Sequence, residues 1–258
     1  DHLQWIENKT IEGIIHEKTA NLLNSNIFVN KQDDKKITSK IEKALKNNPS
    51  NKYFFGIDFN ILKAENSFIK YEDKDGTIIL PEPNVLGDHQ LSNISTSIAT
   101  SRKLFNIKDQ NIKNAIIKIN LKGRLQEIKF GKLKKIVGQN RLVCDGGHNI
   151  NAAKAIAKWI KQQNQEVHLI IGMMKDKDHQ GFIECFKDNV KSITLIDIPN
   201  QAESIPKEDF KNKLNGIKRK INLCNSIEES IQSINKYQKN ICLIVGSLYL
   251  VGEVLNLN

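Results

Sequence analysis

At 258 residues, with 39% hydrophobic and 26% charged, the chain can hold one large domain or two ordinary ones, each with a packed core. Its longest apolar stretches fall far short of the roughly 20 residues a membrane helix needs, and no signal-peptide pattern opens it, so it reads as soluble. The net charge of +10 comes from dispersed lysines with 6% aromatics and no aromatic–basic interleaving, which argues for solvated surface charge and against a nucleic-acid platform.

The chain opens on Asp1-His2 without an initiator methionine and reads as trimmed at its start. Apolar residues Ile11, Ile14, Ile15 and Leu22 recur at helical spacing over residues 10–23, with Thr10 as cap. A second helix is predicted over 36–46, ending before Pro49. Short β-rich runs follow at 53–59, 67–71 and 77–80, the last two joined through the Asp75-Gly76 turn of a hairpin. Helices are predicted at 89–105 and 108–117.

Past Leu121 the rhythm changes. Predicted strands at 141–144, 167–171, 192–196, 220–223 and 241–245 alternate with helices at 151–163, 179–187, 207–214, 227–237 and 248–255. Such alternation predicts a parallel, right-handed, doubly wound sheet. A boundary near Leu121–Arg124 divides 1–121 from 122–258. Cys144, Cys185, Cys224 and Cys242 lie far apart without a Cys-x-x-Cys pair and read as buried free thiols of a reducing compartment.

Three short segments sit where a predicted strand ends and a helix begins. They are Asp145-Gly146-Gly147-His148-Asn149, Gly172-Met173-Met174-Lys175-Asp176-Lys177-Asp178 and Gly246-Ser247-Leu248-Tyr249. In an open parallel sheet the carboxyl ends of the strands share one edge, and ligands bind there. Asp145 offers that edge a carboxylate, Gly146 and Gly147 allow close backbone approach, and His148 can donate to a phosphate or carboxylate oxygen. A helix start capped by Asn149 or Asp145 explains the same residues equally well. Lys177 can neutralise a substrate carboxylate or be a surface lysine between two aspartates. Ser247 can serve a ligand or simply cap a helix. Arg124, at the predicted junction, can reach a phosphate or form an interdomain salt bridge. The side-chain amides of Gln90 and Asn93, beside His89, can read an adenine edge or cap their helix. Lys18 by itself reads as a solvated helical lysine.

In order along the chain, Asp1-His2, Glu17-Lys18, His89-Gln90-x-x-Asn93, Gly123-Arg124-x-Gln126, the Asp145–Asn149 segment, Asp176-Lys177-Asp178 and Gly246-Ser247-Leu248-Tyr249-Leu250 resemble one family. It is the folylpolyglutamate synthase family, in particular its bifunctional dihydrofolate/folylpolyglutamate synthases of the Mur ligase superfamily. The resemblance implies an α/β protein in which 1–121 is the carboxyl-terminal part of a P-loop-type ATPase central domain and 122–258 a Rossmann-like, doubly wound, parallel-sheet ligase domain. It implies an ATP-dependent ligase in which ATP phosphorylates a pteroate or folate carboxylate and the amine of L-glutamate displaces phosphate from the acyl phosphate. The implied setting is a cytoplasmic monomer with ATP, L-glutamate and dihydropteroate or folates as partners, and neither nucleic acid nor membrane.

By the same resemblance His2 would ligate Mg²⁺, and Lys18 would occupy the position of a carbamylated lysine near that metal. Asn93 would contact the adenine, Arg124 the nucleotide phosphates, Asp145 the ribose, and His148 would lie near the phosphates. Lys177 and Ser247 would hold the carboxylate of the incoming amino acid. Lys18, Arg124 and His148 are thus the catalytic candidates. The sequence departs from the family at Ile6-Glu7-Asn8-Lys9-Thr10, where a Leu-Gly-x-Thr turn is usual, and at Thr19-Ala20-Asn21, where Ala-Gly-Ile is usual. It also contains no Gly-x-x-x-x-Gly-Lys-Ser/Thr, so the phosphate-cradling loop would lie upstream of Asp1 and the chain alone would be inactive. A peptidoglycan-type Mur ligase and a non-catalytic basic nucleic-acid module are the alternatives. His89-Gln90 and the Gly246–Tyr249 segment favour the folate branch. A nicotinamide oxidoreductase is disfavoured, because no Gly-x-Gly-x-x-Gly follows a predicted strand.

Overall fold

The structure, a computed structural model, describes Ile6, residues 8–64, 67–83, Val85, 88–217 and 219–258, with Asp88 described by its backbone alone. The chain divides into two compact units, one of residues 1–84 with 88–119 and one of 85–87 with 120–258.

The first unit runs α1 (Ile11–Thr19), β1 (Asn26–Val29), α2 (Lys35–Leu45), β2 (Asn51–Phe54), β3 (Phe59–Lys63), β4 (Phe68–Asp73), β5 (Gly76–Pro81), α3 (Asp88–Leu104) and α4 (Asp109–Ile116). The Thr10 hydroxyl accepts the Gly13 N–H at 3.0 Å and starts α1 at the expected residue. Strands β1 and β2 pair in parallel, and Ile27 and Val29 bury against Leu45 of α2. Strands β3, β4 and β5 form an antiparallel meander whose last turn joins Asp73 to Gly76, at the expected hairpin. Ile61, Tyr71 and Ile78 face one another across the meander and are buried. The predicted run at 53–59 is two elements, because Gly56 at φ +81° turns the chain between β2 and β3.

The second unit runs β6 (Gln126–Ile128), α5 (Lys132–Val137), β7 (Arg141–Asp145), α6 (Ile150–Lys161), β8 (Val167–Ile171), α7 (His179–Glu184), β9 (Ser192–Leu195), α8 (Lys207–Asn212), β10 (Ile221–Leu223), α9 (Ile227–Gln232), β11 (Ile241–Val245) and α10 (Leu248–Leu257). Its six strands lie in the order β10-β9-β8-β11-β7-β6. Side chains alternate between two cores. Val143, Leu169, Leu243 and Val245 meet Ile156, Phe182 and Phe210 of α6, α7 and α8 on one face. Leu142, Cys144, Ile170 and Ile244 meet Leu133, Ile231 and Val254 of α5, α9 and α10 on the other. The chain steps outward from β7 through β10 with its helices on the first face, then returns to β11 with α9 on the second. That is the doubly wound arrangement, since right-handed crossovers in opposite directions put helices on opposite faces.

The expectation of a wholly parallel sheet needs one correction. β6 pairs antiparallel with β7, Gln126 opposite Cys144 and Ile128 opposite Leu142, so the sheet is mixed at one edge. Cys144, Cys224 and Cys242 are buried free thiols, and Cys185 is half-buried and also free. Burial pushes the Cys144 and Cys242 thiols up to about 12. Among the described residues, no helix is long and apolar enough to cross a membrane.

Candidate functional site

The three segments singled out by sequence follow β7, β8 and β11, which are neighbours in the sheet. The strands also end level, because Val245 is paired with Asp145 on one side and with Ile171 on the other. The turns beyond them are bonded side by side: Gly246 N–H donates to Gly147 O at 3.1 Å and Gly172 N–H to Val245 O at 3.3 Å. A fourth turn joins from before β6, where Gly146 N–H donates to Gly123 O at 2.8 Å. Four turns thus line one sheet edge, as ligand sites in open α/β sheets do.

Arg124 stands in that fourth turn, flanked by Gly123 at φ +67° and Leu125 at φ +44°. A left-handed leucine is uncommon and implies a surrounding that enforces it. The enforcing group is Asp145, which is 4% exposed. One of its oxygens accepts Leu125 N–H at 2.8 Å and the other accepts Gly147 N–H at 2.6 Å. The carboxylate therefore clasps the Arg124 turn to the glycine turn. The half-buried guanidinium lies over that glycine turn: Nη1 donates to Gly123 O at 3.3 Å, and a Cβ on Gly146 would stand 3.3 Å from it.

His148 Nδ1 is 3.0 Å from Gly146 O. A carbonyl only accepts, so Nδ1 carries a proton, and Nε2 donates only when the ring is an imidazolium. Asn149 caps α6 by accepting Ala152 N–H at 2.8 Å. Ser247, 3% exposed, caps α10 by accepting Tyr249 N–H at 3.1 Å, and Asp178 caps α7 by accepting Gly181 N–H at 2.9 Å. The capping reading of Asn149 and Ser247 is thus realised, on the same edge as the others. Lys177 Nζ sits 2.9 Å from Asp176, with only 17% of its side chain exposed.

Asn93 and Lys18 belong to the first unit. Asn93 projects from α3, accepts from Asn30 Nδ2 at 2.8 Å and donates to Gln90 Oε1 at 3.2 Å. It lines an open depression with Asn30, Thr96, Ser97, Thr100 and Ser101. Asn30 has no signal in the sequence beyond ending a short apolar run. Lys18 is exposed in the last turn of α1, where a cation suits the helix dipole. His2 lies outside the described residues. No group of three His, Cys, Asp or Glu suited to a metal occurs among the described residues.

Residues 124–248 match the family described as Mur ligase, glutamate ligase domain. The match covers just under half of the chain. The matched segment carries Arg124, Asp145, His148, Lys177 and Ser247. The chain as a whole is similar to a folylpolyglutamate synthase of Lacticaseibacillus casei, 26% identical over 211 residues that cover 78% of this chain and 46% of that protein. Its fold matches Escherichia coli FolC in complex with DHPP and ADP, with a TM-score of 0.80 at 21% identity over 99% of this chain and 58% of the other. It also matches a bifunctional folylpolyglutamate synthase/dihydrofolate synthase of Yersinia pestis complexed with AMPPNP and Mn ion, with a TM-score of 0.77 at 18% identity over 95% of this chain and 56% of the other. The chain spans less than half the length of the Lacticaseibacillus relative and under two thirds of each matched structure.

Proposed function

We propose that this chain belongs to an ATP-dependent amide ligase that joins L-glutamate to a pteroate or folate carboxylate. ATP transfers its γ-phosphoryl group to that carboxylate and leaves as ADP. The glutamate amine then attacks the acyl phosphate, the amide forms and phosphate leaves. The observation that carries the reading is the level edge of β7, β11 and β8, with the turn before β6 bonded to it, which gathers Arg124, His148, Lys177 and Ser247 in the segment that matches the Mur ligase, glutamate ligase domain. The structural neighbours named above, with ADP or AMPPNP bound, support a nucleotide as ligand.

On this reading Arg124 neutralises nucleotide phosphate oxygens, and its turn is preset by the Asp145 clasp, so little reorganisation is left for the reaction. Asp145 meets the ribose from the turn that its clasp holds. His148, through Nε2, lies near the phosphates, and Asn93 meets the adenine. Lys177 and Ser247 hold the carboxylate of the incoming glutamate. Magnesium would supply charge neutralisation on the phosphates. Its proposed ligand His2 lies outside the described residues, and Lys18 is an exposed helical lysine. The proposal places the enzyme in the cytoplasm as a monomer, with small-molecule substrates and no nucleic-acid partner.

The test is glutamate-dependent release of ADP and phosphate by the protein that carries this sequence, with dihydropteroate, a reduced folate and a muramyl peptide offered in turn. Arg124→Ala should lower kcat/KM for ATP by about 10²-fold, the usual effect of removing one stabilising donor. Turnover of the muramyl peptide alone, or an undiminished Arg124→Ala enzyme, would overturn the proposal.

A further inference from the structure

The chain after β8 forms no regular element between Gly172 and Asp178, yet its first half is well fixed. Met173 O accepts Ile205 N–H at 3.0 Å, Lys175 N–H donates to Glu203 O at 2.9 Å, and Lys175 Nζ donates to Ala202 O at 2.8 Å. The next turn carries Lys177 and rests on the carbonyl of Met174. That oxygen accepts Lys177 N–H at 3.3 Å, a long bond, and a second one from His179 Nε2 at 3.0 Å. A carbonyl has two lone pairs and no proton, so Nε2–H is the donor and the acceptor is filled.

His179 is the first residue of α7, set there by the Asp178 cap. It is 4% exposed, and its ring meets Phe210 of α8 edge-on with centroids 4.9 Å apart. The ring cannot leave Met174 without opening the core between α7 and α8. Burial holds its pKa below the ordinary 6.5. The Met174 bond, Asp178 and Asp176 favour the proton and Lys213 opposes it.

We infer that His179 is a positioning residue for Lys177: its ring N–H locks the Met174 carbonyl, and with it the turn from which the Lys177 ammonium meets the glutamate carboxylate. The inference rests on the role proposed above for Lys177. Sequence alone shows only a histidine at a helix start, which would ordinarily be read as part of the core.

The test compares His179→Phe, which keeps the ring against Phe210 and removes the donor, with His179→Gln, whose amide restores a donor near the Nε2 position. Two readouts are taken on the full protein: amide hydrogen exchange at Lys177, and KM for glutamate set against kcat and KM for ATP. His179→Phe should speed that exchange and raise KM for glutamate about three- to tenfold, the worth of one hydrogen bond, with kcat and KM for ATP within about twofold. His179→Gln should restore both. Unchanged exchange, equal behaviour of the two variants, or a parallel loss in kcat and both KM values would overturn the inference. Should His179→Phe not fold, His179→Asn, whose amide is too short to reach Met174 O, takes its place with the same expected outcomes. Lys177→Ala separates the two layers. If it leaves KM for glutamate unchanged, the role of Lys177 and this inference fall together. If it raises that KM while His179→Phe does not, only the role of His179 falls.

Discussion

Gly246→Ala is expected to be among the most damaging single-methyl changes in the second unit. Gly246 sits at φ +110°, where an L-residue is strained, and it follows the last residue of β11. An added Cβ would stand 2.6 Å from Gly172 O, 2.9 Å from Met173 Cγ and 3.1 Å from Ile171 Cγ2. The methionine can yield, but the carbonyl belongs to a backbone whose own N–H is bonded to Val245 O at 3.3 Å. The unfavourable φ costs about 1–2 kcal/mol and overpacking about 1–3, so the loss should total roughly 2–5 kcal/mol. Gly252 is the internal control. It lies within α10 with nothing within 4 Å of a Cβ, and Gly252→Ala should therefore stabilise by about 0.5–1 kcal/mol. Urea unfolding followed by Trp159 fluorescence, in a Trp5→Phe background, reports the second unit through its buried tryptophan. The midpoint should fall for Gly246→Ala and rise for Gly252→Ala at constant m. A Gly246→Ala protein within about 1 kcal/mol of the parent would refute the packing argument, because that argument requires at least about 2.

Two further predictions concern ionisable groups. Asp145→Asn keeps one acceptor for the paired N–H groups of Leu125 and Gly147 and sets an amide NH₂ against the other. It should cost about 2–4 kcal/mol and speed amide exchange at Leu125, and parental stability would show that the clasp is unimportant. His168 and His179 both have folded pKa values lowered below 6.5, chiefly by burial. The unfolded chain therefore binds more protons than the folded one in the window below about 6.5. Their contribution is present above that pH and is lost as pH falls through their folded values. The urea midpoint should drop as pH falls below about 6.5, ahead of any loss from Glu12 and Glu166, whose carboxyls ion pairs hold below 4.5. In a His168→Gln, His179→Gln protein the slope over that window should flatten, and an unchanged slope would place the acid sensitivity elsewhere.

The parts legible in the sequence are those whose signal is local. β11 is buried on both faces and reads as an unbroken apolar run, β8 departs from that pattern only at the half-buried His168, and each stops at a glycine. The Asp75-Gly76 hairpin and the Thr10 cap are likewise written in adjacent residues. What was missed depends on distant partners. β6 has the sequence Gln-Glu-Ile with one buried side chain, and it is a strand only because β7 offers it an edge. β1 is similarly short, made by Ile27 and Val29 against α2. The Lys132-Leu133-Lys134-Lys135 run reads as surface charge, yet Leu133 and Val137, one helical turn apart, bury α5 against the sheet. At the site, the direction of the Asp145 carboxylate and the left-handed Leu125 carry no sequence mark. Neither does the Asn30–Asn93 pair, whose members are 63 residues apart.

The edge also sorts its polar groups in a way that bears on its ligand. Apart from Asp176, which pairs with Lys177, the acceptors among them are committed to backbone donors: Asp145 to Leu125 and Gly147, Asn149 to Ala152, Asp178 to Gly181 and Ser247 to Tyr249. Each of these bonds fixes a turn or a helix start, so the negative or lone-pair end of the side chain is turned into the frame. Arg124, His148 and Lys177 are half-buried, and their polar ends are donors or bases rather than carboxylates. The amino ends of α6 and α10 face the same edge and add the positive end of their peptide dipoles. An edge that gathers basic side chains and helix amino ends, with most of its acceptors turned inward, is a poor place for a cationic or apolar ligand and a good one for phosphate and carboxylate oxygens. Both of the anionic groups that a glutamate ligase must hold, the nucleotide phosphates and the amino-acid carboxylate, suit that edge.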